Sequence, residues 1–524
     1  MEMRHNDDKA EILEIKRGIR SSLPLIVGFV ALALAWKFAV IPVMQTACAA
    51  MASPAASPDE VERGIEERVA ARCAEIERAQ NALTDRVSLA DFAADVVRTN
   101  GCEVWTAALQ KALDRHSVVV IPARDEKYYI DAPVVVPSRR RIEAAGATVA
   151  LLPGTTTLML RNAGARDGTA APLAAGAASP RDRDIAIRGG TWEDCCEGRR
   201  GYGASGRFNL LPRRSGNFFG VSTLFYFGCV DGVEISDVRF RRCGAFAVQA
   251  GDGDGMRFER IRFDGCFADG LHLNGNLSRV LVSDVKGRVG DDLVALNAYD
   301  WLNSSVNFGP QTDFLCRDLE LSPGGGYPAI RIQPAVYRYA DGSTVDCKVS
   351  NVIFRKVRGI LTFKAYLQTP PYEIGKEPEW GAVGSGGNLF FEDIDIDLSH
   401  PIDGFPAYNN GDPVRGHFAA FEIGSNLTSV HFRRMAVKFH ADRFPLSHLV
   451  TIGPKSIVHE ASPERHLEIF DPYVSCRVGE VTIRDCSFTG TVPEELVHVT
   501  VFDDINRDGR SSGRGLLDKP VAVD

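Results

Sequence analysis

Val233-Glu234-Ile235-Ser236-Asp237-Val238-Arg239-Phe240, Met256-Arg257-Phe258-Glu259-Arg260-Ile261-Arg262-Phe263 and Val280-Leu281-Val282-Ser283-Asp284-Val285 lie over one another at intervals of 23 and 24 residues. Each run alternates apolar and polar side chains, the period of a strand with one face buried. A second short run follows after a turn: Leu271-His272-Leu273-Asn274 follows the second unit and Val294-Ala295-Leu296-Asn297 the third. After an insertion the pattern returns in Phe314 to Leu321 with Ile330-Arg331-Ile332-Gln333, then in Val349 to Phe354 with Leu361-Thr362-Phe363-Lys364. Strands recurring at this period with no helix between them predict an all-β fold. The expected architecture is a right-handed parallel β-helix, each repeat being one turn of a coil. A leucine-rich repeat has a similar period but needs a leucine and asparagine ladder that these segments lack.

Alternation also assigns faces. Leu271, Leu273, Val294, Leu296, Ile330, Ile332, Leu361 and Phe363 form an apolar column pointing into the coil. The residues between them point outward: His272 and Asn274, Ala295 and Asn297, Arg331 and Gln333, Thr362 and Lys364. Glu422, within Phe421-Glu422-Ile423, joins the same face. A polar ladder of this kind predicts a ligand groove along the outside of the coil.

Carboxylates gather beside that ladder. Asp269-Gly270-Leu271-His272-Leu273-Asn274 aligns without a gap over Asp292-Leu293-Val294-Ala295-Leu296-Asn297, an offset of 23 residues. One turn of the coil therefore stacks Asp269 on Asp292, and Asp291 in Gly290-Asp291-Asp292 makes a third acidic group at one spot. Crowded carboxylates repel, so one keeps its proton near neutral pH while a neighbour stays ionised. That pairing is what glycosidic hydrolysis needs: one group protonates the leaving oxygen and another activates water on the far side of the sugar. Arg331 and Lys364 add positive charge suited to an anionic sugar, and His272 beside Asp269 is placed to bind substrate or to orient a carboxylate. Gly-Asp is also a common turn dipeptide, so the pair by itself is compatible with a purely structural turn.

Three segments, in order and approximate spacing, resemble signatures of the polygalacturonase family, glycoside hydrolase family 28: Asp269-Gly270, Gly290-Asp291-Asp292 and Leu361-Thr362-Phe363-Lys364. Residues 88 to 121 resemble the opening strand and cap of pectate-lyase-like proteins. The resemblance implies an inverting hydrolase in which Asp291 is the general acid and Asp269 and Asp292 hold the attacking water. It also has departures. Phe267-Ala268 stands where the family has Asn-Thr, Gly324-Gly325-Gly326-Tyr327 replaces its histidine turn, and Thr362-Phe363-Lys364 replaces Arg-Ile-Lys. The expected substrate is therefore a polysaccharide or oligosaccharide other than plain pectin, with Arg331 standing in for the missing arginine. The run from Asp291 to Trp301 resembles bacterial relatives, which implies that Trp301 stacks on a sugar ring.

The chain has 524 residues and a net charge of −8, which argues against a nucleic-acid partner. No cofactor or metal is called for; the acidic stretch Phe502 to Gly509 lacks the closing acidic ligand of a calcium loop. Residues 1–51 read as a cytoplasmic N-terminus followed by a signal peptide or an anchor. Lys16, Arg17 and Arg20 precede an apolar run over residues 23–44, interrupted by Lys37. The rest is expected outside the cytoplasm, periplasmic or secreted, touching the membrane only through that segment. Residues 52–86 read as a linker and an amphipathic helix, with Ile65, Val69, Cys73, Ile76, Ala79 and Leu83 on one stripe that packs on the body or forms a short stalk. Residues 87–510 form the catalytic coil and 511–524 a tail. Export permits disulfides, with Cys476/Cys486 and Cys195/Cys196 as candidate pairs, whereas Cys243 and Cys266 fall at one point of consecutive repeats and suit small core fillers. Two other functions remain open on the same scaffold. One is a lyase or epimerase using calcium and a basic residue; the other is a non-catalytic glycan-binding surface protein.

Overall fold

A computed structural model describes residues 56–155, 157–165, 181–194, 223–300, 307–323, 329–338, 342–365, 382–398, 418–453, 475–499 and 514–524. The apolar run at 23–44, Trp301, the Gly324–Tyr327 turn, Cys195, Cys196 and the stretch 502–509 lie outside the described residues. The chain divides into two units, Met1–Ser57 and Pro58–Asp524, and the coil belongs to the second.

Among the described residues, 29 strands join in one continuous hydrogen-bonded sheet, and nearly all its pairings are parallel. The long strand Phe246–Cys266 traces a full turn of the coil. It pairs with Leu271–Asn274 through Val248 to Ala250, with Leu277–Arg288 through Gly253 to Asp264, and with Arg239–Cys243 through Arg262 to Cys266. Successive turns stack in register, so like residues form columns: Phe258 on Val282, Val282 on Cys316, Cys316 on Phe354, Phe354 on Phe391 and Phe391 on Phe432. Phe354 and Phe391 are stacked at 5.6 Å, and Phe391 and Phe432 at 5.5 Å, close to the ~4.8 Å strand spacing that sets the repeat. The apolar side chains of the repeats thus fill one continuous interior.

The chain turns corners with single residues in the left-handed region. Asp237, Arg260, Asp284, Asp318, Lys356, Asp393, Arg434 and Asp485 all have φ between 51° and 59°. Their preceding residues pair with one another down the stack, so these residues form one corner column. Side chains with a Cβ are costly in this conformation. Ion pairs along the column, Arg260 with Asp237 at 2.6 Å and Arg434 with Asp393 at 2.7 Å, offset part of that cost.

The amphipathic stripe forms the helix Pro58–Asn81 and packs on the body. Ile65 and Val69 sit on Leu281, Leu315, Ile353 and Phe390, which stand at one register position of consecutive turns and point out of the coil. The helix is about 36 Å long at ~1.5 Å per residue, or seven to eight strand spacings. It accordingly runs from Arg433, bonded to Asp59 at 2.6 Å, to Arg141, which donates to the Gln80 carbonyl at 2.5 Å. In between, Arg355 bonds Glu62 at 2.5 Å and Arg68 bonds Asp313 at 2.8 Å. Burial, then the neighbouring Glu392, raise the Glu62 carboxyl to about 7 against the pull of Arg433 and Arg355. No described helix is long and apolar enough to cross a membrane.

Three expectations change. Cys476 and Cys486 are both free thiols, and each Sγ faces a backbone carbonyl, of Ile423 and Arg484 respectively. Leu361 is not in the core: Gly359 takes φ +74°, the strand begins at Thr362, and Ile360 is the buried residue. The outward ladder is also not uniformly exposed, because His272, Asn274, Asn297 and Gln333 are all buried. By contrast Cys243 pairs with Cys266 in register and both are buried thiols, as the repeat implied.

Candidate active site

The acidic cluster is built by two stacked turns. Leu271 pairs with Val294, so the preceding turns nest: Gly270 N donates to the Asp292 carbonyl at 3.0 Å and Asp292 N donates to Asp269 Oδ1 at 3.3 Å. Gly290 allows this approach. A Cβ there would meet the Phe267 carbonyl oxygen at 2.0 Å, so the Gly-Asp-Asp turn tolerates no side chain at its first position. One oxygen from each of Asp269, Asp291 and Asp292 lies within 4.8 Å of the others.

The three carboxylates differ in surroundings. Asp292 is fully buried, and neither of its oxygens accepts a well-formed hydrogen bond among the described residues. Arg331 Nε stands 3.0 Å from Asp292 Oδ2 as an ion pair. Burial, reinforced by Asp291 and Asp269 against the opposing charges of Arg331 and Lys364, holds the Asp292 carboxyl well above the usual carboxylate range. Asp291 keeps 17 % of its side chain exposed and lies 3.7 Å from Arg331 Nη2. Asp269 is buried and bound at 2.6 Å to Nδ1 of His272. A buried carboxyl with a raised pKa, a solvent-reaching one and a histidine-bound one therefore sit side by side.

The outward column supplies the cations. Gln249 pairs with His272, His272 with Ala295, Ala295 with Arg331, Arg331 with Lys364 and Lys364 with Glu422. Ala295 leaves room for the Arg331 guanidinium to reach back one turn to Asp292 and Asp291. Burial opposes the Arg331 charge, but Asp292 and Asp291 outweigh it and raise its pKa further. Lys364 and Glu422 are buried farther along the same face.

His272 is the centre of a buried network. Its Nδ1 is 2.6 Å from Asp269 and its Nε2 3.0 Å from Asp300, and its ring stacks on Phe246 at 3.9 Å with planes 12° apart. Burial opposes protonation, yet the hydrogen bonds to Asp269 and Asp300 prevail and push the imidazole up to about 10. Asn297 Nδ2 donates to Asp300 Oδ2 at 3.1 Å, Gln249 Nε2 donates to Asn274 Oδ1 at 3.1 Å, and Gln333 Nε2 donates to the Tyr299 carbonyl at 3.0 Å. The histidine and amides expected to face a sugar are thus turned to intramolecular partners. Asp300 was missed because it follows the strand in a turn, where no repeat offset marks it; its position three residues after Asn297 was the available signal.

Fold and site define a parallel β-helix with an acidic cluster beside a basic column on the outer face of its coil. No family model matches the chain, and no curated protein matches it. Solved structures do. The tailspike of Escherichia coli bacteriophage HK620 in complex with a pentasaccharide has a TM-score of 0.44 at 12 % identity over 79 % of this chain and 65 % of the tailspike. This chain thus spans less than two thirds of the tailspike's length. The exopolygalacturonase of Thermotoga maritima has a TM-score of 0.43 at 11 % identity over 86 % of this chain and 95 % of that one. The DFA-IIIase of Arthrobacter chlorophenolicus A6, without its lid, has a TM-score of 0.41 at 12 % identity over 79 % and 91 %. These likenesses assign no activity to this chain.

Proposed function

We propose that this protein is an exported glycoside hydrolase acting on a polysaccharide or oligosaccharide, with Asp291, Asp292 and Asp269 as its carboxyl machinery. The observation that carries the reading is a buried, undonated Asp292 beside a solvent-reaching Asp291, with one oxygen of each within 4.8 Å of the other. The upward shift at Asp292 favours keeping a proton within the cluster while Asp291 meets the substrate. Arg331, at the mouth with 11 % of its side chain exposed, is placed to hold an anionic sugar group or a developing negative charge. Asp269 stays fixed by His272, which Asp300 holds from its other nitrogen.

The stereochemical course is a separate matter. The resemblance to family 28 implies inversion, whereas carboxylates of inverting enzymes usually stand about 6.5–9.5 Å apart and those of retaining ones about 5–5.5 Å apart. Here the nearest oxygens of the three groups lie within 4.8 Å, and the anomer released first, rather than this closest-atom distance, decides the course. A lyase that uses Arg331 as base is disfavoured, because two neighbouring aspartates keep that guanidinium charged.

The test is turnover of acidic and neutral polysaccharides by the purified protein, with products followed by NMR. Hydrolysis that Asp291→Asn abolishes without loss of binding is expected, and the anomer released first decides the course. Unsaturated, ultraviolet-absorbing products lost on adding chelator would point to the lyase. Binding unaltered by Asp291→Asn with no turnover by either protein would leave a glycan-binding protein and overturn the proposal.

A further inference from the structure

Beyond the acidic cluster, a second group of ligating side chains closes the far end of the same outward column. Glu422 pairs with Thr451 and Thr451 with His498. His498 lies in the strand Val497–Val499, His448 in the neighbouring strand Ser447–Ile452, and Glu495 just before the former. The two imidazoles stack with centroids 4.7 Å apart and planes 17° apart. One nitrogen of each ring and one Glu495 oxygen lie within 4.8 Å of one another. The rings are already oriented. His448 Nδ1 lies 2.8 Å from the Glu495 carbonyl oxygen, an acceptor only, so that nitrogen carries the proton and Nε2 the lone pair. A backbone carbonyl fixing the tautomer of a histidine is the support that metal-ligating imidazoles usually have. His498 Nδ1 and Glu495 Oε2 are 2.7 Å apart, which holds the third donor against the second.

From this geometry we infer that His448, Glu495 and His498 form a binding site for a divalent transition-metal cation of the zinc class, clamping the strand Ser447–Ile452 to the chain that enters Val497–Val499. Two imidazoles and one carboxylate are the donor set such an ion prefers over calcium or magnesium. Tetrahedral coordination at bonds of ~2.1 Å needs donors about 3.4 Å apart, so the three groups close by an ångström or so on loading. Glu495 keeps 57 % of its side chain exposed, which leaves a fourth position open to water or to a ligand atom. The site is independent of the acidic cluster, so neither proposal stands or falls with the other.

The experiment is a zinc titration of the full chain, stripped with chelator and dialysed, in competition with a chromophoric zinc indicator. One equivalent bound is expected. Binding should weaken at least 100-fold in His448→Ala, His498→Ala and the exposed, fold-neutral Glu495→Gln, and remain unchanged in Asp292→Asn. Zinc should also raise the melting temperature of the parent and of Asp292→Asn but not of Glu495→Gln. No stoichiometric zinc binding by the parent, or binding that survives Glu495→Gln and His498→Ala, overturns the inference. So does binding lost only in Asp292→Asn, which would place the ion in the acidic cluster.

Discussion

Replacing His272 by leucine tests the buried network directly. The imidazolium is fully enclosed, 2.6 Å from Asp269 and 3.0 Å from Asp300. Moving its pKa from 6.5 to about 10 corresponds to roughly 5 kcal/mol of preference for the charged ring in the folded state. Removing one partner of a buried ion pair costs about 3–5 kcal/mol, so both routes give a loss of the same size. The sign of the pH dependence follows. The folded value lies above the unfolded one, so the stabilisation is complete below about 6.5 and is lost as pH rises through about 10. Denaturant unfolding of the parent and of His272→Leu at neutral pH should differ by about 3–5 kcal/mol. Adding Asp269→Asn to His272→Leu should cost less than it does alone, because the two groups share one interaction. Nitrogen-15 shifts of the parent's imidazoles should show one ring protonated on both nitrogens at pH 8 and absent from the variant. A ring titrating near 6.5, or a variant within about 1 kcal/mol of the parent, would refute the counter-ion role.

Gly290→Ala should fold with the acidic turn displaced and lose activity by at least about 100-fold, since the new Cβ would sit 2.0 Å from the Phe267 carbonyl oxygen; unchanged turnover would show that the turn relaxes freely. Arg331→Gln should lower turnover about 100-fold and move the acidic limb of the pH–rate profile upward, as Asp292 and Asp291 lose their nearest cation at 3.0 and 3.7 Å; an unmoved profile contradicts the ion pair. Glu62 titrates at about 7 in the fold, above its ordinary 4.5, so its contribution is present below 4.5 and fades as pH rises through 7. The melting temperature should therefore fall between pH 5 and 8, less steeply in Glu62→Gln; equal slopes would remove Glu62 from the account.

Much of the architecture was legible because a coil repeats one local pattern. Alternation along Met256 to Phe263 and Val280 to Val285, and a period equal to one turn, sufficed to predict parallel stacking and the like-on-like columns. The 23-residue offset placed Asp269 over Asp292, and the matching strand pattern, not the offset, placed Arg331 beside Lys364 33 residues on, because register propagates from strand to strand without reference to anything distant. Where insertions of unequal length break the period, as after Asn297, the offset says nothing, and Asp300 went unseen for that reason.

Residue order alone determined the coil, its inner and outer faces, and the meeting of three carboxylates, all consequences of a fixed rise per strand and a fixed side-chain period. Tertiary structure decided how deep each group lies. It buried Asp292 and raised its pKa while Asp291 stayed partly exposed, tied His272, Asn274 and Asn297 into one buried network on the outer face, and let Arg331 reach back across the small Ala295. It also left Cys476 and Cys486 as separate thiols. Depth and partnership depend on what packs over a position from turns far apart in the chain, and desolvation, which sets the charge of each group, depends on depth.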